Sequence, residues 1–95
     1  MRDYEMTVIA SPAVGDENVT AVIEKVKQFI ANAGGEVTKV DLWGRRRLAY
    51  PINGHREGYY FLTQFQMAPQ ATTELERNAK LAEEIIRYLI VRSGE

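Results

Sequence analysis

The spacing of apolar residues along this chain switches repeatedly between two and three-to-four residues, and the order of those switches limits the fold more than any other feature. Tyr4-Glu5-Met6-Thr7-Val8-Ile9-Ala10 roughly alternates, with Tyr4, Met6, Val8 and Ala10 on one side, and Ser11-Pro12 closes it. That pattern predicts a half-buried strand. Val19, Val22, Ile23, Val26 and Ile30 then recur at helical spacing after Asp16-Glu17-Asn18, a polar start that suits the positive end of a helix dipole. Gly34-Gly35 stops the helix, because glycine takes the left-handed conformation at a helix C-terminus without steric cost.

From Glu36 to Leu42 the chain alternates again, Val37, Lys39 and Asp41 against Thr38, Val40 and Leu42, until Gly44 interrupts it where a bulge or sharp bend is expected. Asn53-Gly54 is a strong turn signal and Gly58 a further one. Tyr59 to Met67 is rich in aromatics, with Phe61, Phe65 and Met67 on one face, so the two segments form a long hairpin. Pro69 fits the first turn of a second helix, whose stripe of Ala71, Leu75, Ala79 and Ala82 is thin enough to approach a sheet closely.

The run Ile85 to Arg92 reads both ways. Leu81, Ile85, Leu89 and Ile90 continue the helix, whereas β-branched content and the alternation of Ile86, Tyr88 and Ile90 favour a strand. Packing decides for the strand, since two helices on one face need a sheet wider than three strands. The expected architecture is α+β, a ferredoxin-like β-α-β-β-α-β order with a four-stranded antiparallel sheet, two helices on one face and the other face free for a partner.

With 95 residues and 45% hydrophobic content the chain buries one modest core, so residues 1–95 are expected to form a single domain. No apolar run approaches the roughly 20 residues that span a bilayer, and Met1-Arg2-Asp3-Tyr4-Glu5 lacks an apolar signal core. A cytoplasmic protein with no membrane contact is therefore expected. Zero cysteines remove disulfides, thiolate metal sites and thiol nucleophiles. The one histidine, His55, lies in the expected hairpin turn, and no Ser or Asp stands in a clear spacing relation to it. No metal, cofactor, small-molecule substrate or catalytic residue is expected, and the chain does not read as an enzyme.

Charge is distributed unevenly. The formal net charge is -1, yet between Lys39 and Arg56 five basic residues (Lys39, Arg45, Arg46, Arg47 and Arg56) face the single acid Asp41, which makes that stretch +4. Gly44-Arg45-Arg46-Arg47-Leu48-Ala49-Tyr50-Pro51-Ile52 is the most informative part of it. Three consecutive arginines on extended backbone point to alternate sides, and at least one side offers guanidinium groups that engage phosphate oxygens bidentately. Tyr50 adds a polar-tipped ring, and Pro51 suits an edge strand.

Gly58-Tyr59-Tyr60-Phe61-Leu62 invites comparison with the RNA-recognition motif. Glu57 replaces the basic residue before the glycine, Tyr60 stands where a small residue belongs, and Phe65 comes one place late, so base stacking on the sheet is not expected. An arginine run also occurs in proteins that bind no nucleic acid. Three readings stay open on the residues alone: RNA binding, a protein-interaction module using the open sheet face and edge, and a small phosphate-ester or acyl-phosphate hydrolase of the same topology. The last lacks its anion loop, since Ser11-Pro12-Ala13-Val14-Gly15 has too little glycine.

Met1-Arg2-x-Tyr4-Glu5 at the start, Trp43 to Ile52 in the middle and Gly58-Tyr59-Tyr60 together resemble the bacterial small-subunit ribosomal protein S-six family over essentially the whole chain. The resemblance implies the ferredoxin-like fold reached above and a structural constituent of the small ribosomal subunit, in a cytoplasmic or organellar ribosome. It further implies binding to the central domain of small-subunit ribosomal RNA, a partner in ribosomal protein S-eighteen, and a role in assembly and translation. By position in the matching motifs, Arg46, Arg47 and Tyr50 are the first choices for RNA contact, with Arg2 and Tyr4 carried over from the N-terminus. Arg45, Arg56 and Arg87 follow from charge and placement. Family members often continue past the last strand with a tail, whereas this chain stops at Glu95.

Overall fold

The computed structural model describes residues 1–52 and 54–93. Strand β1, Arg2–Ala10, leads through a 3-10 turn at Pro12–Val14 into helix α1, Gly15–Asn32. Strands β2, Glu36–Ile52, and β3, His55–Met67, form the long hairpin. A second 3-10 turn at Pro69–Ala71 precedes helix α2, Thr72–Leu81, and strand β4, Ile85–Arg92, ends the described chain. The sheet is antiparallel throughout, in the order β2-β3-β1-β4. This is the ferredoxin-like arrangement expected from the spacing pattern. Of the expected Asn53-Gly54 turn, Asn53 lies outside the described residues, and Gly54 has φ 83°.

Alternation decides which side chains enter the core. Tyr4, Met6, Val8 and Ala10 of β1 and Tyr59, Phe61, Thr63, Phe65 and Met67 of β3 all point to the helix side and are buried. Against them α1 sets Val19, Val22, Ile23, Val26 and Ile30, the five residues that define its apolar stripe, and α2 adds Leu75 and Ala79. Each large side chain fully buried here contributes about 1.5–3 kcal/mol of hydrophobic stabilisation. Asp16 and Glu17 fill the first turn of α1. Its end is closed by two nested bonds, Gly34 N–H to Ala31 O (3.0 Å) and Gly35 N–H to Ile30 O (2.8 Å), with Gly34 at φ 83°.

The ambiguous last segment is a strand for a tertiary reason. Helix α2 stops at Leu81, Ala82 is extended (ψ 112°), and Ile85 to Arg92 pairs with β1 in a register that sets Met6 against Ile90 and Tyr4 against Arg92. Leu81, which a continued helix would have used, is 74% exposed.

Two expectations change. The register shifts between Val37 and Lys39 and again between Leu42 and Gly44. The first shift puts Val37 opposite Phe65 and Val40 opposite Thr63, hence on one face, where simple alternation separated them. The other face of the sheet is also not wholly free. The ladder slips between Arg47 and Ile52, and the distal arm of the hairpin reaches across that face: Leu48 is buried, and Tyr50 meets Arg87 of β4.

Candidate RNA-binding surface

Every arginine of the central run stands on β2 where it pairs with the start of β3, yet the three have different surroundings. Arg45 lies opposite Tyr59, on the helix side. Its Nε and Nη2 donate to the two carboxylate oxygens of Glu57 at 3.0 and 3.1 Å, and its guanidinium sits 5.9 Å from the centre of the Tyr59 ring. The hydrogen bonds that Arg45 donates to Glu57, then the charge of that carboxylate, raise the Arg45 pKa above its ordinary value. Tyr59 in turn donates its hydroxyl to Asp16 Oδ1 at 2.6 Å, and that bond is the first cause of its raised pKa. Arg45 is thus the head of a chain of contacts that ties the β2 edge to the start of α1. Glu57 is the neighbour just past the +4 stretch, and it neutralises the first arginine of the run.

Arg46 lies opposite Gly58 on the other face and, with Trp43 and Tyr60, borders an open hollow of about 500 Å³. Arg47 and Arg56 come together with Tyr50 and Pro51 around a second hollow of about 230 Å³. Among the described residues, Arg46, Arg47 and Arg56 have no hydrogen-bond or ion-pair partner. Tyr50 is 60% exposed, and its hydroxyl accepts a bond from Arg87 Nη1 at 2.9 Å, which is also the first cause of a raised Arg87 pKa. Arg87 therefore belongs with Tyr50, as a support for the arm.

Arg2 and Tyr4 are elsewhere. The ladder sets Arg2 against Met67 and Ala10 against Tyr59, so the N-terminal end of β1 is separated from the arginine arm by most of the length of the strand, about 25 Å at 3.3 Å per residue. The Tyr4 ring is stacked on Phe65 (centroids 5.6 Å, planes 21° apart) and is 7% exposed, so it supplies packing more than contact area. The aromatic positions that would serve base stacking in an RNA-recognition motif, Tyr59, Phe61 and Phe65, are likewise all on the helix side and buried. The residues overlooked in the sequence are Trp43 and Glu57. Trp43 was inside the quoted motif, and its role depends on a bulge; Glu57 sits 12 residues from Arg45 on the neighbouring strand. No three or more His, Asp or Glu among the described residues are arranged to hold a metal ion.

A family model described as ribosomal protein S6 matches residues 3–92. The chain belongs to the ribosomal protein S6 family. The small ribosomal subunit protein bS6 of Desulforamulus reducens is 50% identical over 95 residues, covering 100% of both chains, and that of Moorella thermoacetica is 46% identical, covering 100% of this chain and 97% of its own. The crystal structure of 30S ribosomal protein S6 from Thermotoga maritima superposes with a TM-score of 0.91 at 34% identity, covering 97% of this chain and 87% of that one. The C-terminal domain of MgtC from Mycobacterium tuberculosis, at 15% identity and a TM-score of 0.51, shares the fold alone. Membership of the S6 family makes this chain a constituent of the small ribosomal subunit, in the cytoplasm, and not an enzyme. No described helix is long and apolar enough to cross a membrane.

Proposed function

We propose that the chain binds the central domain of small-subunit ribosomal RNA together with ribosomal protein S-eighteen, and that it supports assembly of the subunit and translation by holding a junction of folded RNA. The observation that carries this reading is the exposed arm on which Arg46, Arg47 and Arg56 project without a described partner beside Tyr50. Guanidinium groups with no internal carboxylate are the ones left to neutralise phosphates. Contacts of this kind read the shape of duplex RNA, whose base edges lie in a deep groove. Arg87 acts through Tyr50, Arg45 contributes less because Glu57 engages it, and Arg2 offers a second contact at the far end of the sheet, with Tyr4 packing the strand that carries it.

A net charge of -1 leaves little general attraction for RNA, so S-eighteen is expected to supply further positive charge. The test is a binding assay with central-domain RNA, with and without S-eighteen, across a salt titration. Arg47→Ala should lower the salt slope by roughly 1 and weaken cognate and non-cognate RNA about equally. Arg45→Ala should do less than Arg47→Ala. An unchanged slope for Arg47→Ala removes the arm from the interface, and equal affinity with and without S-eighteen removes the partner's electrostatic role.

A second reading rests on the exposure of Leu89 and Val91, which β4 presents on the same face as Arg87. There the chain is a protein-docking module, and its binding to a protein partner survives neutralisation of Arg45, Arg46 and Arg47.

A further inference from the structure

Trp43 is the single tryptophan of the chain, and it stands 45% exposed on the sheet face away from the helices. The bulge puts it there. Pairing passes from Leu42 opposite Phe61 directly to Gly44 opposite Tyr60, so Trp43 is the extra residue, and its ring faces the same way as Asp41 and Tyr60. The indole is also held in place. Its Nε1–H donates to Asp41 Oδ2 at 3.1 Å, and its plane lies 5° from that of Tyr60 with centroids 6.3 Å apart. Arg46 closes another side of the same hollow of about 500 Å³ and has no partner among the described residues.

A fixed, flat aromatic surface and an unengaged guanidinium thus border one open space. The ring face selects a planar π system, and the guanidinium selects an anion with paired oxygens. An aromatic side chain satisfies the first and an acidic side chain the second. An unpaired nucleotide presents both together, base and phosphate, at neighbouring positions. The Asp41 carboxylate is engaged by the indole N–H, and Lys39 lies two residues away on the same face. Because ring and hydrogen bond are already in place, stacking here orders little that was free before.

We infer that the hollow formed by Trp43, Tyr60 and Arg46 takes one unpaired RNA nucleotide, with its base stacked on Trp43 and its phosphate on Arg46. This rests on the reading of the chain as an RNA binder and adds a single-stranded element to the duplex contacts of Arg47 and Arg56, since paired bases are not free to stack on a side chain.

The sole tryptophan makes the test direct. The full chain is titrated at low salt with a short oligoadenylate and, separately, with a fully paired RNA duplex, while Trp43 fluorescence and the anisotropy of a labelled RNA are read. Saturable quenching by oligoadenylate and none by duplex is the expected result. Trp43→Ala should weaken oligoadenylate by on the order of tenfold, Trp43→Phe should largely restore it, and duplex affinity should be the same in all three proteins. Equal quenching by the two RNAs, or oligoadenylate affinity unchanged in Trp43→Ala, overturns the inference. Quenching that appears only when S-eighteen is added without RNA assigns the hollow to a protein surface and overturns it too. If central-domain RNA still binds with an Arg47-dependent salt slope while Trp43→Ala is silent, the hollow is refuted and the RNA reading stands. Failure of the unaltered chain to bind RNA even with S-eighteen refutes both.

Discussion

The two faces of strand β3 divide the work of the molecule. On the helix side Tyr59, Phe61, Thr63, Phe65 and Met67 are all but sealed from solvent, whereas Tyr60, Leu62, Gln64 and Gln66, one residue out of step, are partly or fully open. The first set meets two helices and holds the fold together. The second meets water, except at one end, where the hairpin arm lies over the sheet and Gly58, Ile9 and Leu48 are buried. A period of two therefore separates stability from contact within a single strand.

Four substitutions challenge that division, in falling order of expected effect. Phe61→Ala should cost about 3–5 kcal/mol in urea unfolding, since it empties a fully buried site; a loss under about 1 kcal/mol would show that the helix side is not where stability resides. Gly58→Ala should cost about 1–3 kcal/mol, because the added Cβ would meet Ile9 Cγ2 at 2.5 Å and Ala10 O at 3.0 Å. A neutral result there would mean that the covered end of the open face is loosely packed. Thr63→Val should raise stability by about 1 kcal/mol, because the buried Thr63 Oγ1 has no hydrogen-bond partner among the described residues and the methyl is nearly isosteric. Arg47→Ala should leave the unfolding free energy within about 0.5 kcal/mol while it changes the salt dependence of RNA binding. If instead it destabilised the protein, the arm would be part of the core's support.

Much of the architecture was legible in the chain. The five buried positions of α1 repeat at helical spacing in the sequence, and the glycine pair that ends the helix closes it by local hydrogen bonds. Both are local properties, so neighbouring residues suffice to specify them. The segment at Ile85 was different. Its spacing fitted a helix or a strand, and only the ladder with β1 selects the strand. The arginine run was legible as a candidate but not as three unlike residues. Nothing near Arg45 in the chain marks it as engaged, because its carboxylate partner comes from the facing strand.

By itself, then, the sequence determined the type and order of the elements through α2, the core faces of β1, α1, β3 and α2, and the motif that marks the S6 family. Periodicity and turn chemistry act over a few residues and are written in consecutive positions. The tertiary structure decided which arginines of the central run find a partner among the described residues. Two bulges in β2 and the slip between Arg47 and Ile52 turn side chains from one face to the other, pair Arg45 with Glu57, carry Tyr50 to Arg87, and stand Trp43 beside Arg46 on the open face. Those outcomes depend on register between strands, where a shift of one residue exchanges the faces, and register is set by what the whole sheet packs against.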